Sequence, residues 1–184
     1  RDKVYDALAR IRAQIVAWQP LQKLGPLAAI IGHWWQFVVN SDEGAVVSLM
    51  EISASEPANL RLEGRSWGDG GGPLARYRSR AARYDASNQT LYYYWEGEHP
   101  RERTMPHYFG VGEIAFRVGR EAEAARGEGW YSVSVSSDRE HSITLSTSYY
   151  RATSDEVAVG EGNDPDSLMA LLDSKRKARQ QLMS

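Results

Sequence analysis

The chain has 184 residues, 42% of them apolar and 25% charged, which is enough for one well-buried globular domain with helical extensions. Lys plus Arg number 22 against 24 Asp plus Glu, so the formal charge is -2 and no global field favours DNA or an anionic membrane surface. There is no cysteine, which removes disulfides, thiol nucleophiles and Cys-based zinc sites and suits a reducing compartment.

Arg1 rather than Met opens the chain, which suggests a trimmed or processed protein that a signal peptide or membrane segment could have preceded. The longest apolar run near the start, Pro26 to Ile31, is far short of the roughly 20 residues that span a bilayer. Val4, Leu8, Ile11, Ile15 and Trp18 recur at gaps of four and three, predicting an amphipathic helix that Pro20 interrupts. Such a helix either lies against the following domain or forms a short self-associating stalk.

From Trp34 onward the hydrophobic period becomes two. Strands are predicted near Trp34 to Val39, Ala45 to Ser53, Asn59 to Trp67, Leu74 to Tyr84, Thr90 to Glu96, Tyr108 to Val118, Gly127 to Ser136 and Ser142 to Ala152. Turn-rich intervals separate them, including Gly68 to Pro73, Gly97 to His107, Gly119 to Arg126 and Ser137 to Glu140. Tightly joined consecutive strands read as hairpins, which gives an eight-stranded antiparallel up-and-down β-barrel, an all-β fold with flanking helices. The expected organisation is an N-terminal helix and lead-in over 1–31, the barrel over 32–152, and a linker with a C-terminal helix over 153–184. Asn163 or Asp164 caps that helix, Pro165 opens it, and Leu168, Leu171 and Leu172 give it an apolar face. The basic run Lys175, Arg176, Lys177 and Arg179 reads as a solvated helix end.

Alternation assigns the inward rows: Leu60, Leu62 and Gly64; Tyr77, Ser79 and Ala81; Leu91, Tyr93 and Trp95; Gly112, Ile114 and Phe116; Tyr131, Val133 and Val135; and Leu145, Thr147, Tyr149 and Arg151. Arg76, Arg78 and Arg80 then face solvent, and a one-residue bulge flips part of any row. Seventeen of the 19 aromatics lie between Trp34 and Tyr150, and most are Tyr or Trp, whose polar handles argue against a greasy fatty-acid pocket. A core of packed Tyr and Trp without a cavity is the plain alternative.

The barrel end opposite the start of the first strand receives the loop Gly97 to His107 and its neighbour Ser137 to His141. These carry His99, Arg101, Arg103, His107, Arg139 and His141, a positive rim despite Glu98, Glu102, Asp138 and Glu140. Arginine grips phosphate through paired hydrogen bonds and base rings stack on Tyr or Trp, so an aromatic shaft under an arginine rim suits a nucleotide. Gly68 to Pro73 lacks the Lys-Ser/Thr of a P-loop and reads as a hairpin turn. Gly110, Gly112, Gly127 and Gly129 leave room on adjoining strands for a ring or ligand, or for a bend. The four histidines form no metal-binding pair and no Gly-x-Ser-x-Gly elbow is present, so an enzyme is not expected; Glu51 and Glu113 read as strand glutamates.

Gly32-His33-Trp34 with Arg151 in the last strand resembles the lipocalin/calycin pairing in which arginine packs over tryptophan at the closed end, which makes both structural. The stretch from Trp34 to Arg151, with Ser79-x-Ala81-Ala82-x-Tyr84-Asp85, Leu91-x-Tyr93-x-Trp95 and Gly110-x-Gly112-x-Ile114-x-Phe116, resembles the soluble sensor domain of the two-transmembrane β-barrel effectors of bacterial anti-phage nucleotide signalling, CBASS and related systems. That resemblance implies a cyclic dinucleotide ligand and ligand-promoted homo-oligomerisation of the intact protein. It also implies a location at the cytoplasmic face of the inner membrane, reached only through a segment outside this chain. On this reading Tyr77, Tyr93, Trp95, Tyr108 and Tyr131 offer stacking surfaces, Ser79 and Thr147 bond base edges or ribose, and Arg101, Arg103 and Arg139 meet phosphates. No cofactor is expected. A lipocalin-like carrier of an apolar or amphiphilic molecule is the competing class, and a filled structural barrel the third.

Overall fold

The structure, a computed structural model, describes residues 24–39, 46–56, 58–68, 70–98, 107–118, 124–135, 138–162 and 164–183. Eight antiparallel strands close into a barrel: β1 Gly32–Val39, β2 Val47–Ala54, β3 Leu60–Trp67, β4 Pro73–Asp85, β5 Thr90–Glu98, β6 Tyr108–Val118, β7 Ala124–Val135 and β8 Asp138–Arg151. Each pairs with its sequence neighbours and β8 returns to β1 in the register Trp34↔Arg151, so the up-and-down order expected from the hairpins holds. The predicted helix from Val4 to Trp18 lies outside the described residues.

Several strands outrun the sequence pattern: β1 begins at Gly32, β4 gains a residue at each end, β5 continues to Glu98 inside the predicted loop, and β7 and β8 extend furthest. β7 begins at Ala124, inside the interval read as a turn, and β8 begins at Asp138, so Arg139 and His141 belong to a strand rather than a loop. These ends are poor in β-branched residues; pairing of Arg117 with Arg126 and of Ser134 with Ser142 brings them into the sheet despite weak local preference. In β4 the register shifts between Ser79 and Ala81, which turns Ala81 outward and puts Ala82 and Tyr84 on the core instead. The Ser79 hydroxyl accepts a bond from the Leu62 amide, 2.9 Å, beyond the last β3–β4 backbone pair.

One end of the barrel is sealed. A 3-10 turn over Gly25–Ala29 buries Leu24, Leu27 and Ile30 beneath Trp34, so the apolar run before β1 is the plug. The Trp34 indole donates to the Ile30 carbonyl at 2.9 Å, and its ring packs 4.9 Å from Phe116. Arg151 lies 4.2 Å over the Trp34 ring and donates to the carbonyls of Ile31 (2.5 Å) and Ala29 (2.6 Å). Gly32 has φ +124, and a side chain there would meet the Arg151 guanidinium at 2.8 Å. The Gly-x-Trp and the distant arginine are therefore one structural device, as their resemblance to calycins implies.

The outer wall of β1, β2 and β3 is also apolar, because a helix covers it. Trp35, Phe37, Val47, Leu49 and Trp67 pack with Leu172, Leu168 and Leu171 of the long helix α2 (Pro165–Met183), which explains why β1 and β2 carry apolar residues on both faces. Asp164 caps α2 through the Asp166 amide and the Ser167 hydroxyl. A second, shorter helix, α1 (Ser154–Glu161), replaces the expected linker; Thr153 and Glu156 form its capping box.

Glu156 holds these pieces together. Its carboxylate accepts the Trp35 indole N–H at 2.9 Å, the Thr153 amide at 3.1 Å and the Lys175 ammonium. Arg176 donates to the Gly68 carbonyl at 2.6 Å and Lys175 stands 5.7 Å over the Trp35 ring, so both are tied to the barrel rather than solvated. Burial pushes the Glu156 carboxyl up, but the bonds from Lys175, Trp35 and Thr153 outweigh it and hold the group below the usual glutamate range. A lowered carboxyl pKa stabilises the fold fully above the ordinary carboxylate range, and the contribution disappears as pH falls through the lowered value. Glu156→Gln is expected to lower stability by about 2 kcal/mol at neutral pH. In urea titrations the gap from the parent protein closes in acid; a gap independent of pH would refute the role of the charge.

Candidate functional site

Alternation carries three inward aromatic side chains, Tyr77 on β4, Trp95 on β5 and Tyr131 on β7, to the end of the barrel opposite the plug. The Trp95 ring meets Tyr77 edge-on at 6.2 Å and 70°, and Tyr131 edge-on at 5.7 Å and 85°. Tyr108 opens β6 beside them, paired with Gly97 and Val135 and half-buried against the same cluster. Space for these rings comes from glycines directly across the strand pairs: Gly64 faces Tyr77, Gly110 faces Trp95 and Gly112 faces Tyr93 and Tyr131. A Cβ at Gly64 or Gly112 would sit 2.5 Å or 2.6 Å from the tyrosine ring that covers it.

This end is open. Ile143 faces Val133 on the inward row of β8, yet it is 60% exposed, whereas Tyr149 further down the same strand is 0% exposed. The inward side chains therefore grade from a solvent-reached mouth to a filled base.

The floor of the mouth is a buried polar circuit. Gln36 donates to the Tyr149 oxygen at 2.9 Å and accepts the Tyr77 hydroxyl at 3.2 Å. Thr147 donates to the same Tyr149 oxygen at 3.0 Å, and the Tyr93 hydroxyl lies 3.5 Å from it. With two bonds accepted, the Tyr149 hydroxyl has one proton left, and Tyr93 is its neighbour. Burial raises all three phenols, Tyr77, Tyr93 and Tyr149, and their mutual proximity adds to the effect at Tyr77 and Tyr93, so they stay neutral donors at physiological pH.

One polar atom does not join this circuit. The Trp95 indole nitrogen is buried and has no hydrogen-bond partner among the described residues. A buried N–H left without an acceptor costs about 1–3 kcal/mol, and this one lies beside Gly110 of β6.

The sequence-predicted site residues divide into groups. Tyr77, Trp95, Tyr108 and Tyr131 gather at the mouth. Tyr93 and Thr147 are inward as expected and stand one step deeper than Trp95, where both hydroxyls are engaged with Tyr149. Ser79 stands at the β4 bulge, where its hydroxyl accepts the Leu62 amide. Arg101 and Arg103 lie outside the described residues, and Arg139 stands in β8 near its start rather than in a loop. Gln36, which links Tyr77 to Tyr149, is the member of this cluster that the sequence pattern does not single out, although it shares the inward row of β1 with Trp34.

Among the described residues there is no group of three or more His, Cys, Asp or Glu that could hold a metal, and no helix is long and apolar enough to cross a membrane. Neither protein-family models nor curated proteins yield a match to this chain.

Proposed function

We propose that this chain is a non-enzymatic receptor domain whose open mouth takes the planar ring of a nucleotide. A cyclic dinucleotide is the ligand that the resemblance to anti-phage effector sensors implies. The single observation that carries this reading is the Trp95 N–H, buried beside Gly110 with no hydrogen-bond partner among the described residues, on a ring that packs with Tyr77 and Tyr131. A nucleobase offers what that position lacks, a flat π-face with carbonyl and ring-nitrogen acceptors at its rim, and stacking adds roughly 1–3 kcal/mol per base. Because Tyr93 and Tyr149 fill the floor, a base enters only the mouth, and the sugar-phosphate ring stays outside. β5 ends and β6 begins at that mouth, and the sequence joining them contains Arg101 and Arg103. In the intact effector, ligand capture would promote self-assembly at the cytoplasmic face of the inner membrane.

Isothermal titration against a panel of cyclic dinucleotides tests the reading, with micromolar binding of at least one member as the expected result. Trp95→Phe keeps an aromatic ring and removes the N–H; it is expected to weaken that binding about tenfold, the value of roughly one hydrogen bond. Absence of heat with every nucleotide, or an unchanged affinity in the variant, would overturn it. A second reading rests on the apolar lip, where Ile143 and Val133 face each other. That lip suits an amphiphilic ligand in a carrier, and displacement of a fluorescent fatty acid with indifference to nucleotides would favour it.

A further inference from the structure

The outer wall on the side away from α2 breaks the alternation rule. Outward positions of an antiparallel strand are normally polar, but Tyr92 and Tyr94 of β5, Val111 of β6 and Trp130 of β7 are outward and 36–48% exposed. They lie on two adjacent cross-strand rows, Arg83–Tyr92–Glu113–Trp130 and Ala81–Tyr94–Val111. Together they line a shallow apolar groove of about 430 Å³. A contiguous exposed apolar patch of this kind, rimmed by charge, marks a protein contact.

The two charges in the first row identify the occupant. Arg83 and Glu113 flank Tyr92 on either side, with opposite signs, and neither is in an ion pair among the described residues. A two-fold axis along β5 beside Tyr92 lays that ring against its own copy and places Arg83 opposite Glu113 of the second copy. The same contact repeats on the other side of the axis. Self-complementarity of this form is what a two-fold interface demands, since residue i meets j and j meets i. Cross-strand neighbours always flank the middle residue evenly, and here it is their opposite signs that make the row complementary to its own two-fold copy, where like signs would repel.

We infer that the β5–β7 wall is a self-association surface through which two copies of this chain pair face to face about Tyr92. The inference is independent of the ligand reading, because the patch lies on the outside of the barrel wall and shares no outward side chain with the mouth. Its small apolar area makes the dimer a weak one.

Sedimentation analysis of the full chain from low micromolar to about 1 mM protein tests it, with a reversible, concentration-dependent dimer as the expected result. Arg83→Glu and Glu113→Arg are each expected to weaken association about tenfold by setting like charges against each other. Both changes in one chain restore it, because the swapped charges again meet opposite signs on the second copy. Tyr94→Ser with Trp130→Ser, both outward, should leave the circular dichroism spectrum unchanged and the protein monomeric. A monomer at the highest concentration, or a doubly reversed variant as weak as the single ones, overturns the proposal. So does association that survives all these changes and is lost on removing residues 1–23, which would assign the contact to that segment.

Discussion

Trp34→Ala is expected to lower the unfolding free energy by about 3–5 kcal/mol, the range for removing a large buried aromatic. The loss is large because three separate contacts end on this ring: Phe116 packs beside it, its N–H satisfies the Ile30 carbonyl, and Arg151 covers its face. Arg151→Lys separates the contributions. An ammonium keeps the charge, but it lacks the planar fork that bonds two carbonyls while stacking on the indole. A loss of about 2 kcal/mol is expected for that variant. Chemical denaturation measures both, and stability unchanged by Arg151→Lys would mean that the carbonyls of Ala29 and Ile31 do not depend on the fork.

Gly129→Ala and Gly110→Ala are expected to cost about 3 kcal/mol each, at the upper end for overpacking. At Gly129 an added Cβ would fall 2.0 Å from the Glu113 carbonyl oxygen, and at Gly110 it would fall 1.8 Å from that of Ser132. Both obstacles are backbone, so β6 and β7 must separate. Gly127→Ala supplies the contrast: there the nearest atom is an Ile114 methyl at 3.0 Å, which a side-chain shift can relieve. Thermal melts should therefore rank Gly127→Ala well above the other two. Equal losses at all three positions would show that lost backbone freedom, and not the approach of the neighbouring strand, sets the effect.

The barrel itself was legible because its strands obey period two and its turns are short, so strand number, order and most inward rows follow from alternation. The Trp34 and Arg151 pairing was legible for a different reason, as a recognisable combination of residue types. What the pattern hid has a physical cause in each case. Ala81 follows a bulge, and a bulge changes the parity of everything after it without leaving a mark in composition. β7 and β8 extend through Ala124 and Asp138 because a paired neighbour supplies hydrogen bonds that local preference does not foresee. α1 could have been found from Thr153 and Glu156, a capping box at the right spacing, but its short length gives little periodicity.

At the mouth, alternation placed Tyr77, Trp95 and Tyr131 inward but could not separate wall from floor. That distinction depends on depth along the barrel. Tyr93 and Thr147 stand one step further from the open end than Trp95 and Leu145, and there the hydroxyl of Tyr149 engages them. Gln36 was overlooked because a single amide in an apolar strand looks like an interruption. In the folded chain it is the link that joins Tyr77 to Tyr149 across the lumen.

Closure of β1 on β8 also bears on how the chain is made. Arg151 bonds Ile31 across 120 residues, and until β8 arrives both β1 and β7 present unpaired edges. During synthesis, then, nearly the whole domain must leave the ribosome before its sheet can complete. A message cut short before β8 yields a ribbon with two sticky borders, the kind of product that chaperones and proteases must clear.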